Sequence, residues 1–328
     1  YVNGDLDRAL KDYDTALSLH PENSSAFNNR GLIWHNKGDL EKALSDFDAA
    51  LCINPNYAEA LNNRGNVWRA KGDIDKALKD YDVALVINPK DGEVFNNRGN
   101  VWREKGDLDK ALLDYSAALE RKPMFDEALN NRGVIFHERG NLDKALSDFN
   151  AALMINPNND KALSNRGNIW RAKGELDKAL ADYTMALCIN PGSTKTLSNR
   201  GFVWRVKGEL DKALADFDSA LILNPRLAEV YKHREIIWKE KGDMDKALAD
   251  YNEALSIEPD LATVLTRRGE SWQAKGQLDR ALSDYNEALA INPHSAAALN
   301  YRGLIWQAKG DLEKALKDYD AALAINPE

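Results

Sequence analysis

The chain has 328 residues, 44% of them apolar and 29% charged, with a formal net charge of −8 at pH 7. That balance disfavours nonspecific attachment to nucleic acid, and no apolar run approaches the ~20 residues that a membrane crossing requires. All ten prolines, from Pro21 through Pro55 and Pro89 to Pro327, fall 34 residues apart, so one supersecondary unit is copied end to end and function is to be sought in a surface built by repetition.

In chain order, residues 1–23 are a half copy, and residues 24–328 are nine copies of 34 residues, the last one residue short. Each copy divides into two amphipathic helices. In the first, Phe27, Arg30, Gly31 and Trp34 stand at i, i+3, i+4 and i+7; in the second, Leu40, Ala43, Leu44, Phe47, Ala50 and Leu51 form a similar stripe. Gly38 recurs where a helix needs a left-handed C-terminal residue, Asp39 is placed to cap the next helix, and Asn54-Pro55 ends it. Gly31, Ala43 and Ala50 are read as small residues that let the two helices approach, with Trp34 and Phe47 filling the core beside them. Every tryptophan lies in the Trp34 column, where Phe136 is the one substitute. None is left over for a ligand.

The 34-residue step, the helix-turn-helix unit, Gly31, Trp34, Ala43, Phe47, Ala50 and Pro55 together resemble the tetratricopeptide repeat family over the whole chain. The resemblance implies an all-α solenoid, a right-handed superhelix of stacked antiparallel helix pairs, whose first helices line a concave groove that usually binds peptides. One departure is systematic: Arg30 and its equivalents to Arg302 stand where the family usually has an apolar residue before the glycine.

Motifs for chemistry are missing. The five histidines are scattered, there is no nucleophile with a recognisable base and no phosphate loop, so a non-enzyme without catalytic residues, metal site or cofactor is expected. Cys52 and Cys188 share a column four copies apart, are read as buried, unbridged thiols, and make the cytoplasm the default location. An unpaired charge in the Arg30 column would be costly on its apolar stripe. Pairing with the Asp46 column, Asp in all ten second helices, is the economical account; arginines that face the groove and grip a ligand are the alternative, and the copy that supplies the partner is left open.

The opposite face of the first helix is the candidate binding surface. Its central column reads Asn29, Asn63, Asn97, Asn131, Asn165 and Asn199, flanked by Asn62, Asn66, Asn96, Asn100 and Asn168, with Arg69, Arg103, Arg171 and Arg205 one turn later. Carboxamides offer a donor and an acceptor, so such a row can bond an extended peptide backbone without choosing side chains. The column resembles the asparagine ladder of the repeat domain of O-linked N-acetylglucosamine transferase, which grips substrate backbone; the bland reading is a solvated face copied by duplication. Further along, Lys232, His233, Lys239 and Arg267 occupy this face and favour an acidic segment.

These readings point to a scaffold that binds a protein or peptide. The alternatives are the substrate-recruiting domain of a larger enzyme, which a start inside a copy permits, and an RNA-binding array, which the acidic balance and the lack of aromatics on that face argue against. No membrane partner is expected. Unfinished copies at both ends lead to an expectation of end-to-end self-association. Glu235, the one residue of the Gly31 column that is not glycine, should push its helices apart or swing outward.

Overall fold

The computed structural model describes residues 3–259 and 261–326. Among them are nineteen helices and no strand, and two compact units divide the chain at Ile169 and Trp170. The first unit holds α1 (Asn3–Leu19) and the pairs α2 (Ser24–Asn36) with α3 (Leu40–Ile53), α4 (Ala58–Ala70) with α5 (Ile74–Ile87), α6 (Gly92–Glu104) with α7 (Leu108–Arg121), and α8 (Asp126–Glu138) with α9 (Leu142–Ile155). The division falls within α10 (Asp160–Ala172). The second unit holds α11 (Leu176–Ile189) and the pairs α12 (Thr194–Val206) with α13 (Leu210–Leu223), α14 (Ala228–Glu240) with α15 (Met244–Ile257), α16 (Ala262–Ala274) with α17 (Leu278–Ile291), and α18 (Ala296–Ala308) with α19 (Leu312–Ile325). The fold is an all-α solenoid of consecutive antiparallel helix pairs.

The turn chemistry explains why the pairs are so alike. Gly38 and its eight equivalents all have φ between +73° and +81°, a region costly for any residue with a Cβ. The next residue begins the second helix: the Asp39 carboxylate accepts the Lys42 N–H at 3.2 Å, satisfying one of the orphan donors of the first turn.

Inside each pair the close contact runs between a glycine and an aromatic ring. A Cβ on Gly65 would stand 2.7 Å from Tyr81 Cε1, and one on Gly31 would stand 2.8 Å from Phe47 Cε1. Gly31 thus makes room for the ring of its own copy, rather than for Ala43 and Ala50 as the pattern of small residues suggested. The aromatic column from Phe47 to Tyr285, with Ala43 and Ala50, forms the fully buried core. The tryptophans lie less deep than expected. They are half-buried at the edge, with Lys42 Nζ 4.2 Å from the Trp34 ring centroid and Lys76 Nζ at the same distance from that of Trp68. Both cysteines are exposed, which corrects their reading as buried thiols. Their column follows Leu51 by one residue, a rotation that carries it off the core stripe; Val86 and Ile222 of the same column are exposed too.

The Arg30 column pairs with the Asp46 column of its own copy. Arg30 Nε and Nη2 donate to the two Asp46 oxygens at 2.8 and 2.6 Å, and the same fork recurs from Arg64 to Asp80, Arg98 to Asp114 and Arg132 to Asp148, and in the second unit from Arg200 to Asp216, Arg234 to Asp250, Arg268 to Asp284 and Arg302 to Asp318. The remaining arm reaches the preceding copy: Arg30 Nη1 meets Asp14 at 2.6 Å, Arg64 meets Asp48 and Arg98 meets Asp82, each at 2.7 Å. The guanidinium therefore ties its own two helices together and staples them to the copy before.

Breaking one staple should be local and costly. Arg98→Leu strands the buried Asp114 carboxylate and should cost about 3–5 kcal/mol, whereas Arg98→Leu with Asp114→Leu should recover most of that loss. Denaturant titration of the two variants measures the difference, and hydrogen exchange should rise around α6 and α7 rather than throughout the chain.

Candidate functional site

The asparagine face is partly consumed by the stacking of one copy on the next. Asn63 Nδ2 donates to Asn28 Oδ1 at 2.9 Å, Asn97 to Asn62 at 3.0 Å, Asn131 to Asn96 at 3.1 Å and Asn165 to Asn130 at 2.9 Å. Each bond runs from a first helix to the preceding first helix, so the row is a hydrogen-bonded seam as well as a surface. Asn29, Asn62, Asn97 and Asn165 remain half-exposed, as does Asn199 on α12. A carboxamide has capacity for about four hydrogen bonds, and one or two are spent here.

The flanking asparagines serve the core more directly. Asn66 Oδ1 accepts the Tyr81 hydroxyl at 2.7 Å, and Asn100 Oδ1 accepts the Tyr115 hydroxyl at 2.8 Å and Asn131 Nδ2 at 3.1 Å. Burial lifts the Tyr115 pKa to about 12, so this hydroxyl stays a donor. Asn96 is 1% exposed and sealed from solvent. The signal for this role is a match between columns: Phe47, Phe149 and Phe217 face Leu32, Val134 and Phe202, while Tyr81 and Tyr115 face asparagine. Asn168, in the same column as Asn66, is half-buried on α10.

The cations of this face differ in how they are neutralised. Arg69 bonds Glu104 at 2.8 Å, and Arg103 is half-buried one copy later. In the second unit Lys232 pairs with Glu229 on its own helix, Lys239 with Glu270 at 2.9 Å and Arg267 with Glu235 at 3.0 Å. Arg171 and Arg205 instead lie against one ring, their guanidinium carbons 5.1 and 5.3 Å from the Phe202 centroid. His233 meets that ring edge-on at 5.1 Å and stacks on Phe217 at 6.2 Å. Burial first and Arg205 second push its imidazole below the usual histidine range, leaving it neutral at pH 7. Its Nδ1 and the Arg205 Nε are both buried with no hydrogen-bond partner.

Aromatics do occur on this face, contrary to expectation. Phe202 is one; Tyr301, stacked on Tyr285 at 5.8 Å, is another, and with Glu270, Gln273 and Ala274 it borders a recess of about 340 Å³. Each occurs once in its column, which asparagine shares with histidine and arginine around Tyr301 and with aliphatic residues and glutamate around Phe202. A reading of repeated columns therefore passed over them.

Glu235 points inward. It is 1% exposed, with Oε1 on Arg267 and Oε2 unpartnered near the Tyr251 hydroxyl. Ile236 stands where Asn66 and Asn100 serve the other tyrosines, so the Tyr251 hydroxyl is unpartnered as well. The pair α14 and α15 stays antiparallel, and Ser271, the one polar residue in the Ile33 column, lies beside Tyr251. Desolvation raises the Glu235 pKa in spite of Arg267.

Models of the tetratricopeptide repeat match residues 1–58 and 266–328, then 58–91, 126–159 and 160–193, and also 239–261, and a TPR repeat model matches 99–138. No curated protein matches the sequence. Among solved structures, a tetratricopeptide repeat protein from Parabacteroides merdae is 23% identical, covering 79% of this chain and 98% of its own, with a TM-score of 0.53. PilF of Pseudomonas aeruginosa is 20% identical over 64% of this chain and 96% of its own, with a TM-score of 0.59. Human IFIT1, solved as a dimer with PPP-AAAA, is 15% identical over 93% of this chain and 73% of its own, with a TM-score of 0.57. At these identities the likeness is one of fold. No helix among the described residues is long and apolar enough to cross a membrane.

The raised Glu235 pKa sets the sign of a stability effect. Below the unfolded value near 4.5 the group is protonated in both states and its burial carries no charge penalty; as pH rises through the folded value the penalty appears. Glu235→Gln should therefore raise the thermal midpoint at pH 7, and the gain should shrink toward pH 4.5. Calorimetry of the two proteins across that range checks the direction.

Proposed function

The chain belongs to the tetratricopeptide repeat family, and on that premise we propose that it is a protein-interaction scaffold that binds an extended peptide along the face of its first helices. The observation that carries this reading is the seam of asparagines in the first unit: their bonds to the neighbouring copy hold the carboxamides in place, while Asn29, Asn62, Asn97 and Asn165 stay half-exposed. Amides ordered before binding lose little further entropy when they meet a peptide backbone. The cations Arg171, Arg205, Lys232, Lys239 and Arg267 favour an acidic portion in the second unit, less strongly at the three that already hold a carboxylate. Recruitment of substrate for a larger enzyme would use the same face.

One backbone hydrogen bond contributes only about 0.5–1.5 kcal/mol net, so a single Asn→Ala change should be nearly silent. Replacing the half-exposed Asn29, Asn62, Asn97 and Asn165 together should weaken a captured peptide by roughly 2–6 kcal/mol. Fluorescence anisotropy on parent and variant measures this. Because most of these side chains also join copies, the variant's melting curve must be recorded beside it, and equal affinities would reduce the row to a structural seam.

A further inference from the structure

We propose that Arg171 and Arg205, held against the Phe202 ring, form a receptor for one phosphorylated side chain in the bound peptide. The proposal rests on the peptide reading and names what the second unit selects.

Most cations on this face are already matched. Arg69, Lys232, Lys239 and Arg267 each hold a carboxylate, and the Arg30 column is locked in its forks. Arg171 and Arg205 have no ion pair and no side-chain hydrogen bond among the described residues, and the Arg205 Nε is buried without a partner. A buried donor of that kind is costly unless something answers it. Both guanidiniums rest on the same ring, so their side chains are ordered before a ligand arrives. Among the described residues, Arg103 has neither a carboxylate nor a ring against its guanidinium.

The chemistry of the missing group follows from count and charge. Two planar forks offer up to about ten N–H donors and two positive charges. One carboxylate matches a single fork. A phosphate monoester carries about −1.5 to −2 charge and three acceptor oxygens, enough to engage both arginines. His233 meets the edge of Phe202, and burial with Arg205 nearby lowers its pKa, so it brings no positive charge to the site at neutral pH. A nucleic acid would bring phosphates along its whole length toward a chain of net charge −8, with the Glu229 carboxylate close to His233. A single phosphate on a peptide brings far less negative charge and avoids most of that repulsion.

The test uses the whole chain and fluorescein-labelled degenerate peptide pools whose fixed central residue is phosphoserine, serine or glutamate, with oligouridylate as a separate arm. The phosphoserine pool should bind at least about tenfold more tightly than the serine pool, with glutamate in between. Arg171→Gln with Arg205→Gln should bring the phosphoserine and serine pools to within about twofold of each other, with an unchanged helical spectrum and melt. Arg205→Lys, which keeps the charge and loses the planar fork, should retain part of the preference. Equal binding of phosphoserine and serine pools by the parent overturns the phosphate receptor and leaves the peptide reading standing. No binding by any pool overturns both, and oligouridylate binding more tightly than the phosphoserine pool replaces the peptide with a nucleic acid.

Discussion

The forked pair between the Arg30 and Asp46 columns is the contact on which the register of the array depends. A bidentate guanidinium–carboxylate bond has one good geometry, and here it spans the two helices of a copy at a fixed separation of sixteen residues. The third arm then reaches the second helix of the preceding copy. Where that column carries Ser116 or Asn150 instead of aspartate, a hydroxyl or carboxamide oxygen takes the bond at 3.4 or 2.9 Å. The link between copies therefore tolerates loss of charge, while the fork within a copy keeps its aspartate. Buried ion pairs often contribute little net stability. Their value here is directional, since an apolar pair at the same place would permit the first helix to rotate.

Fixing that rotation decides what the other face presents. With Arg30 turned toward Asp46, Asn28 faces the following first helix and Asn29 lies beside it, accepting from Asn28. The seam of asparagines is thus a consequence of the staple, as is the hydroxyl contact from Tyr81 to Asn66. A polar surface that also holds copies together is a constraint on ligand recognition: a residue there can vary only if stacking survives the change. Serine at 164 and threonine at 266 are small polar replacements in the Asn28 column, and both are buried.

Much of this was legible in the sequence because repetition marks faces. Gly38 announced a positive φ, Asp39 a cap, and the shared stripe of Arg30 and Asp46 an ion pair. Depth was harder to read. Column periodicity places Trp34 toward the core and Cys52 on an apolar helix, but the wide Trp ring ends at the edge beneath Lys42, and Cys52 lies one step past the stripe. The reason for Gly31 was also hidden, because the ring it accommodates lies sixteen residues away rather than on a small neighbour. Single departures from a column carry no periodic signal at all, which is why Phe202 and Tyr301 escaped.

Those departures gather on first helices. The second helices keep alanine, leucine and aspartate in their core columns in every copy, whereas the column of Leu32 runs through asparagine, valine, phenylalanine, isoleucine and glutamate. A position can drift in this way when its partner is a ring edge or a hydroxyl that several side chains can meet. Phenylalanine at 217 leaves no hydroxyl to satisfy, so Phe202 can replace asparagine and offer its ring to Arg171 and Arg205. At Tyr251 the same freedom fails: Ile236 supplies no acceptor, and Glu235 brings a carboxylate into the space that glycine usually leaves empty. Tyr285 and Tyr319, which stand over Glu270 and Leu304, send their hydroxyls instead to Gln273 and Gln307. A tyrosine deep in the second helix thus constrains the first helix at whichever position supplies the acceptor, and it ties the chemistry of the surface to the packing beneath it.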